Sequence, residues 1–534
     1  MAALVAVAVV HLLGGLARFV ARRGPAAAVA IGAVGVPAAL AVAALVAAAS
    51  ARRSQGGRHP TGPGRRADPG AAWAGSRSLS LLRVDAPTTG RLTLGRHGRR
   101  LLSAEPGQSV IVLGPSQSQK TTGFAVPAIL EWDGPVVATS VKTDLVRDTI
   151  GWRRSCGQVH VYDPVGVTGL PAAGWSPLTG SATWQGARKV AAGLCSLAGR
   201  KGGMEDAAFW YALAEKLIAP LLFAASSAGA DVSDLLRWVD TEEVTEVVLA
   251  LELAGVPEAL QAVRASFDRE ERQRASIYAT VESVLGAFAD PSVVASTRGG
   301  CFDPLRLVDG GAGGAGGAGG AGGGRQTLYL CAPARDQERL QPVFATVLGQ
   351  VLEAAFELSS ARGRPLDPPL LLVLDEAANI APVADLDSLA STAAGHGIQL
   401  VTVFQDLAQI EARYGARAGT VVNNHRAKVV LSGISDPATL DHMSRLAGDE
   451  QLWVSSVSVD PDGRRSTSES PMTRPLAPPA WLRLMVPGEG LLLYGHLSPA
   501  RLRLRPWYED RVLAERAARP APQQGADGAT FGQG

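Results

Sequence analysis

Residues 370–376 read Leu370-Leu-Leu-Val-Leu-Asp375-Glu376, aliphatic side chains running straight into two carboxylates. An unbroken apolar run of this length fits a strand buried on both faces, the condition of the centre of a parallel sheet. Ala377 and Ala378 follow the acids. Carboxylates at the C-terminal end of such a strand lie where open α/β sheets bind ligands. A solvated strand end accounts for one acid more readily than for an Asp-Glu pair after consecutive aliphatics.

A partner motif lies upstream. Ser109-Val-Ile-Val-Leu113 reads as a short strand, followed by Gly114-Pro115-Ser116-Gln117-Ser118-Gln119-Lys120-Thr121-Thr122. The phosphate-loop pattern is Gly, four residues, then Gly-Lys-Ser/Thr, set between a strand and a helix. Gly114, Lys120 and Thr121 fit that frame, and the downstream segment from Gly123 is expected to be the helix. Gln119 stands where the pattern has its second glycine, which lets the backbone curl its N–H groups around phosphates. In a P-loop NTPase the first acid of the distant pair holds Mg²⁺, and the second orients or deprotonates the attacking water. The alternative for the loop alone is an ordinary polar turn.

Length and charge set the frame. The 534 residues allow two to four domains, and a net charge of +2 does not by itself indicate nucleic acid. Cysteines 156, 195, 301 and 331 show no metal-ligand spacing and read as reduced, buried thiols. Residues 24–51 carry no charged side chain and are long enough to cross a bilayer. Residues 2–17 form a weaker apolar run ended by Arg18, so 1–51 reads as a membrane region of two helices. Arg52, Arg53, Arg58, Arg65 and Arg66 then place the body in the cytoplasm, whereas a hairpin would leave Arg18, Arg22 and Arg23 outside, against the same rule.

Beyond the membrane, 52–79 reads as a Gly/Arg/Pro linker and 80–181 as the first part of a nucleotide-binding domain. Helical periodicity dominates 182–308, an all-helical insertion whose most apolar stretch runs from Phe209 to Phe223. A Gly-Gly-Ala repeat makes 309–325 a flexible loop, 326–514 resumes the nucleotide-binding domain, and 515–534 reads as a disordered tail. Within the second part, Gln399-Leu-Val-Thr-Val-Phe404 is a further strand ending at Gln405. A Gln there can contact a γ-phosphate or its water; a helix cap or loop amide is the alternative.

The order of these features resembles the TraG/TraD-type conjugative coupling proteins of type IV secretion. The segments that carry the likeness are Ser140-Val-Lys-Thr-Asp-Leu145, Phe209-Trp210, Leu374-Asp-Glu-Ala377, His396-Gly-Ile398, Phe404-Gln-Asp406 and Asn423-Asn424 with Lys428-Val-Val-Leu431. The resemblance spans roughly residues 1–510 and implies an α/β fold: a RecA-like P-loop NTPase domain with an all-helical insertion and N-terminal transmembrane helices. It implies a homohexameric ATPase in the plasma membrane, using ATP and Mg²⁺. Its expected partners are single-stranded DNA with a bound relaxase and the components of a type IV secretion channel. By the same resemblance Lys120 contacts the β/γ-phosphates, Thr121 and Asp375 hold Mg²⁺, Glu376 acts on the attacking water, and Gln405 meets the γ-phosphate. Members often carry an Arg just before the Gly-Ile of the third motif, but here Ala393-Ala-Gly-His396-Gly397-Ile398 has none, and Arg426 is the substitute considered. A double-stranded DNA or protein-exporting motor of the same superfamily, and a non-hydrolysing membrane docking scaffold, are the alternative functions.

Overall fold

The Leu370–Leu374 strand lies inside a parallel array, as its aliphatic run requires. The computed structural model describes residues 70–75, 77–198, 205–309, 325–459 and 465–520. The membrane segments expected over 1–51 lie outside these residues, as do most of the linker, residues 310–324 of the Gly-rich loop and 521–534 of the tail. In chain order the strands are β1 (Arg83–Val84), β2 (Thr93–His97), β3 (Arg100–Ser103), β4 (Val110–Leu113), β5 (Val136–Ser140), β6 (Val159–Tyr162) and β7 (Thr327–Cys331). They continue with β8 (Leu370–Leu374), β9 (Ile398–Phe404), β10 (Ala427–Leu431), β11 (Asp449–Val459), β12 (Arg465–Pro475), β13 (Glu489–Tyr494) and β14 (Ala500–Arg503).

Among the described residues, twelve strands form one sheet in the order β1-β3-β2-β14-β13-β10-β4-β9-β8-β5-β7-β6. From β10 to β6 every neighbouring pair is parallel. From β1 to β10 every pair is antiparallel. Strand β9 is inserted between β4, which leads into the phosphate loop, and β8, which leads into the acids. The three strand ends therefore lie side by side at one edge.

Alternation explains the unbroken apolar run. Leu370, Leu372 and Leu374 belong to one hydrophobic cluster. Leu371 and Val373 belong to the other, across the sheet. All five are fully buried, and burying each such side chain contributes roughly 1.5–3 kcal/mol. The first cluster continues without interruption into the helices between β6 and β7. The second packs the helix Val126–Glu131, which follows the phosphate loop, and the helix Asp144–Cys156.

All regular elements described between β6 and β7 are helical. Two helices among the described residues, Ala208–Ala228 and Ala334–Arg362, are long and apolar enough to cross a membrane. Both are core helices here: Leu217, Ile218, Leu221, Leu222, Val343, Phe344 and Val347 are buried. Phe209, by contrast, is exposed. The helix Val232–Asp240 starts at a reciprocal cap, in which Asp231 accepts from the Ser233 and Asp234 amides and the Asp234 carboxylate accepts from the Asp231 amide.

Several features depart from the sequence reading. The antiparallel strands β1–β3 were not foreseen, because runs such as Thr93-Leu-Gly-Arg-His97 are short and interrupted. Strands β11 and β12 form a separate two-stranded sheet, an eleven-residue ribbon whose base is also bridged from Glu450 to Gly70. Cys301 is exposed, unlike the other three cysteines, because it sits in a loop rather than under the sheet. The helix Arg511–Ala517 crosses the expected tail boundary at 514–515, held by buried Leu513 packed on Val126 and Leu130.

Candidate functional site

The loop after β4 is shaped by close contacts. Gly114 donates its amide to the Phe404 carbonyl at 3.0 Å, and a Cβ added there would lie 2.5 Å from the Ser118 hydroxyl. The chain then turns left-handed at Gln117 (φ +68°) and Gln119 (φ +65°) before Lys120 opens the helical turn Thr121–Ala125. Gln119 thus adopts the backbone conformation for which glycine is ordinarily used, at a cost of roughly 1–2 kcal/mol. Its side chain finds room against Gly488 in the turn before β13: a Cβ on Gly488 would meet the Gln119 Oε1 at 2.6 Å. A glycine thus faces the loop position where the phosphate-loop pattern has one. We expect Gln119→Gly to stabilise the fold by about 1 kcal/mol through relief of this strain, measured as a raised urea midpoint with unchanged slope.

The acids reach the same place from β8. Thr121 Oγ1 donates to Asp375 Oδ2 at 2.9 Å, so the loop and the acid strand, 254 residues apart, are joined directly. Thr139 Oγ1 donates to the Asp375 carbonyl at 3.0 Å. The other carboxylate oxygen of Asp375, Oδ1, is buried without a hydrogen-bond partner. Lys120 is buried, its Nζ 3.4 Å from the Gly114 carbonyl. Glu376 is left-handed at φ +57°, and its Oε2 accepts from Asn379 Nδ2 at 3.2 Å. Of four non-glycine residues with positive φ among those described, three (Gln117, Gln119 and Glu376) are at this one locus. Such strain persists only where the surroundings over-determine it, and functional sites are where it collects.

These residues line a cavity of about 320 Å³ with Ser116, Thr122, Ser140, Lys142 and Asp148. A larger cavity, about 470 Å³, lies between the helices around Leu407, Val422 and His442. It has neither the loop nor the acid pair, so volume does not mark the chemistry here. The unpartnered Oδ1 of Asp375, with the Thr121 hydroxyl on its Oδ2 and the Lys120 ammonium in the same lining, fits a divalent cation beside a polyphosphate.

Not every expected residue converges. Gln405 sits at the end of β9 beside Gly114, but it does not line the cavity; its amide donates to Gln409 Oε1 at 2.9 Å. Pro115 and Ser118 shape the loop without lining the cavity, and Gly114 lies behind it. Arg426 precedes β10 at the opposite end of the parallel strands from the phosphate loop. Its guanidinium is engaged with Glu105 (3.2 Å) and stacked 5.5 Å from the Tyr494 ring centroid. His396, in the stretch without an Arg, is turned into the body, its Nδ1 2.7 Å from the Ser359 hydroxyl. Lys142 and Asp148 were not singled out by sequence reasoning; the Ser140-Val-Lys-Thr-Asp segment that contains Lys142 was the available signal.

Burial sets the protonation behaviour. Asp375 is pushed up to about 6, chiefly by desolvation, with the Thr121 hydrogen bond and the Lys120 charge pulling the other way. A raised carboxylate favours the folded state below its unfolded value and loses that contribution as pH rises through about 6. Near neutrality the ionised Asp375 therefore opposes folding. His425, buried beneath β9 and β10, runs opposite. Its Nδ1–H donates to the Val421 carbonyl at 2.7 Å and its Nε2 accepts from Thr402 Oγ1 at 3.0 Å. Burial pushes it down to about 4, so its contribution is present above the ordinary histidine value of 6.5 and is lost as pH falls toward 4. Between pH 6 and 4 the two nearly cancel. Asp375→Asn removes the opposing one, and we expect its stability, read by urea unfolding, to fall by about 3 kcal/mol across that window. A level profile in Asp375→Asn would contradict the His425 assignment.

Comparison with known proteins bears on the family and the fold. The family described as "Type IV secretory system Conjugative DNA transfer" matches residues 80–527. The conjugal transfer protein TraG of Escherichia coli is 24% identical over 463 residues, 78% of this chain and 69% of its own. Protein VirD4 of Agrobacterium fabrum is 23% identical over 472 residues, 83% of this chain and 66% of its own. Among solved structures, the plasmid coupling protein TrwB in complex with the ATP analogue ADPNP matches with a TM-score of 0.60 at 15% identity, covering 82% of this chain and 93% of that one. TrwB with ADP and Mg²⁺ gives a TM-score of 0.59 at 16% identity, covering 84% and 97%. At such identities these structures speak for the fold. The family match extends over most of the chain, and with it the chain belongs to the conjugative DNA transfer proteins of type IV secretion, the coupling proteins.

Proposed function

We propose that the chain is a membrane-anchored ATPase that couples a relaxase-bound single DNA strand to a type IV secretion channel and drives its passage. The observation that carries the ATPase reading is the 2.9 Å bond from Thr121 to Asp375, with Lys120 and Glu376 on the same cavity. The nucleotide complexes of TrwB support ATP and Mg²⁺ as the ligands. Residues 1–51 would be the plasma-membrane anchor, the body would be a RecA-like motor domain working as a hexamer, and 182–308 would read the substrate.

In this reading Gln117, Gln119, Lys120 and Thr122 cradle the phosphates, while Thr121 and Asp375 would hold Mg²⁺. When bound, the cation neutralises phosphate charge and holds the phosphoryl group in line. The Lys120 ammonium compensates the β/γ-phosphate oxygens. Glu376 accepts a proton as the water oxygen bonds to the γ-phosphorus and the bond to ADP breaks. Gln405, at the neighbouring strand end, would reach the γ-phosphate after a side-chain rearrangement.

The strand would be gripped through its phosphates, without base readout. We expect hydrolysis by the full chain to rise on adding single-stranded DNA, more than on adding duplex. We also expect DNA affinity to fall steeply between about 50 and 200 mM salt. Stronger stimulation by duplex would favour the double-stranded motor. A docking scaffold without hydrolysis is the reading that Gln119 alone would favour, and wild-type turnover equal to that of Lys120→Ala would establish it.

A further inference from the structure

The turn after β5 brings one more cation to the acid pair. Thr139 of β5 lies opposite Leu374 of β8, so the chain leaving β5 runs beside Asp375 and Glu376. Two bonds fix it there: Thr139 Oγ1 to the Asp375 carbonyl at 3.0 Å, and the Ser140 hydroxyl to the Lys142 carbonyl. Lys142 thereby lines the cavity alongside Lys120, Thr121, Asp375 and Glu376.

Its ammonium is left without an ion pair among the described residues. Two further carboxylates stand in the same lining, Asp144 and Asp148. Both are taken by Arg147, at 3.1 and 2.8 Å. Lys142 is exposed and makes no side-chain hydrogen bond or salt bridge among the described residues. Lys120 is buried at the loop end of the cavity, and Lys142 is the other cation of the lining, on the acid side.

A phosphoryl group in transfer spreads negative charge over its equatorial oxygens, and a second cation there is commonly an arginine from a neighbouring subunit. In this chain the 393–398 stretch has no Arg, and Arg426 is tied to Glu105. Resting on the ATPase reading above, we propose that Lys142 is a catalytic residue that supplies this second positive charge from within the same chain.

The test uses the full chain and two variants, Lys142→Met and Lys142→Arg. Lys142→Met should lower kcat by about 10- to 1000-fold, part of the range an arginine finger supplies, with KM for ATP changed less than about threefold. Lys142→Arg should recover most of the loss. A second readout is independent of turnover: affinity for ADP with aluminium fluoride, a mimic of the phosphoryl group in transfer, should fall with kcat, while affinity for ADP alone stays level. Lys142→Met matching wild type in kcat and in aluminium fluoride affinity, with Lys120→Ala inactive, overturns the proposal. Wild type no faster than Lys120→Ala would instead sink the ATPase reading on which it stands.

Discussion

Glu376→Gln is expected to slow ATP hydrolysis by about 10²- to 10⁴-fold, the range for losing a positioned general base, while nucleotide binding stays close to wild type. Glutamine matches the carboxylate in size and still offers Asn379 an oxygen acceptor, so the 3.2 Å contact and the left-handed turn at φ +57° have no steric reason to change. What it lacks is the capacity to take a proton from water. Phosphate release measured against equilibrium binding of a fluorescent ATP analogue separates the two effects. Turnover within a few-fold of wild type would mean that another group handles that proton.

The second large effect is expected at Lys120. Lys120→Ala removes a buried ammonium that no other lining residue can replace at the loop end. Losing one preorganised electrostatic contact costs about 10²- to 10³-fold in kcat, and here affinity should drop as well, because the ground state carries phosphate charge too. The paired change distinguishes Lys120 from Glu376: one variant binds poorly and turns over slowly, the other binds well and turns over slowly. Circular dichroism of the nucleotide-free variants should be indistinguishable from wild type, since among the described residues the hydrogen bond of the Lys120 ammonium is the long 3.4 Å contact to its own loop.

The parallel centre of this fold is legible because both faces of its strands must be apolar. The runs Val110–Leu113, Leu370–Leu374 and Ile398–Phe404 leave little alternative, and the residues after each define the ligand edge. That Lys120, Thr121, Asp375 and Glu376 would meet at one cavity was legible for the same reason: each stands at a short offset from the end of such a strand. Gln119 could be read only halfway. Sequence shows a missing glycine, but the room for its side chain comes from Gly488, 369 positions on, which no local pattern discloses. Gln405 and Arg426 were chosen by residue type, and type does not report that one side chain stays out of the cavity while the other is engaged with Glu105. The antiparallel edge was hidden because short strands rich in Gly and Arg derive their pairing from neighbours, not from their own periodicity.

The helices between β6 and β7 share one uninterrupted apolar cluster with Leu370, Leu372 and Leu374. Among the described residues that cluster is continuous from the helices to the strand that ends in the two acids. We expect a load on these helices to be felt at the acid strand through that shared core, as close-packed interiors transmit strain. Cutting these helices away would bare their side of the shared core, and we expect the remainder to aggregate.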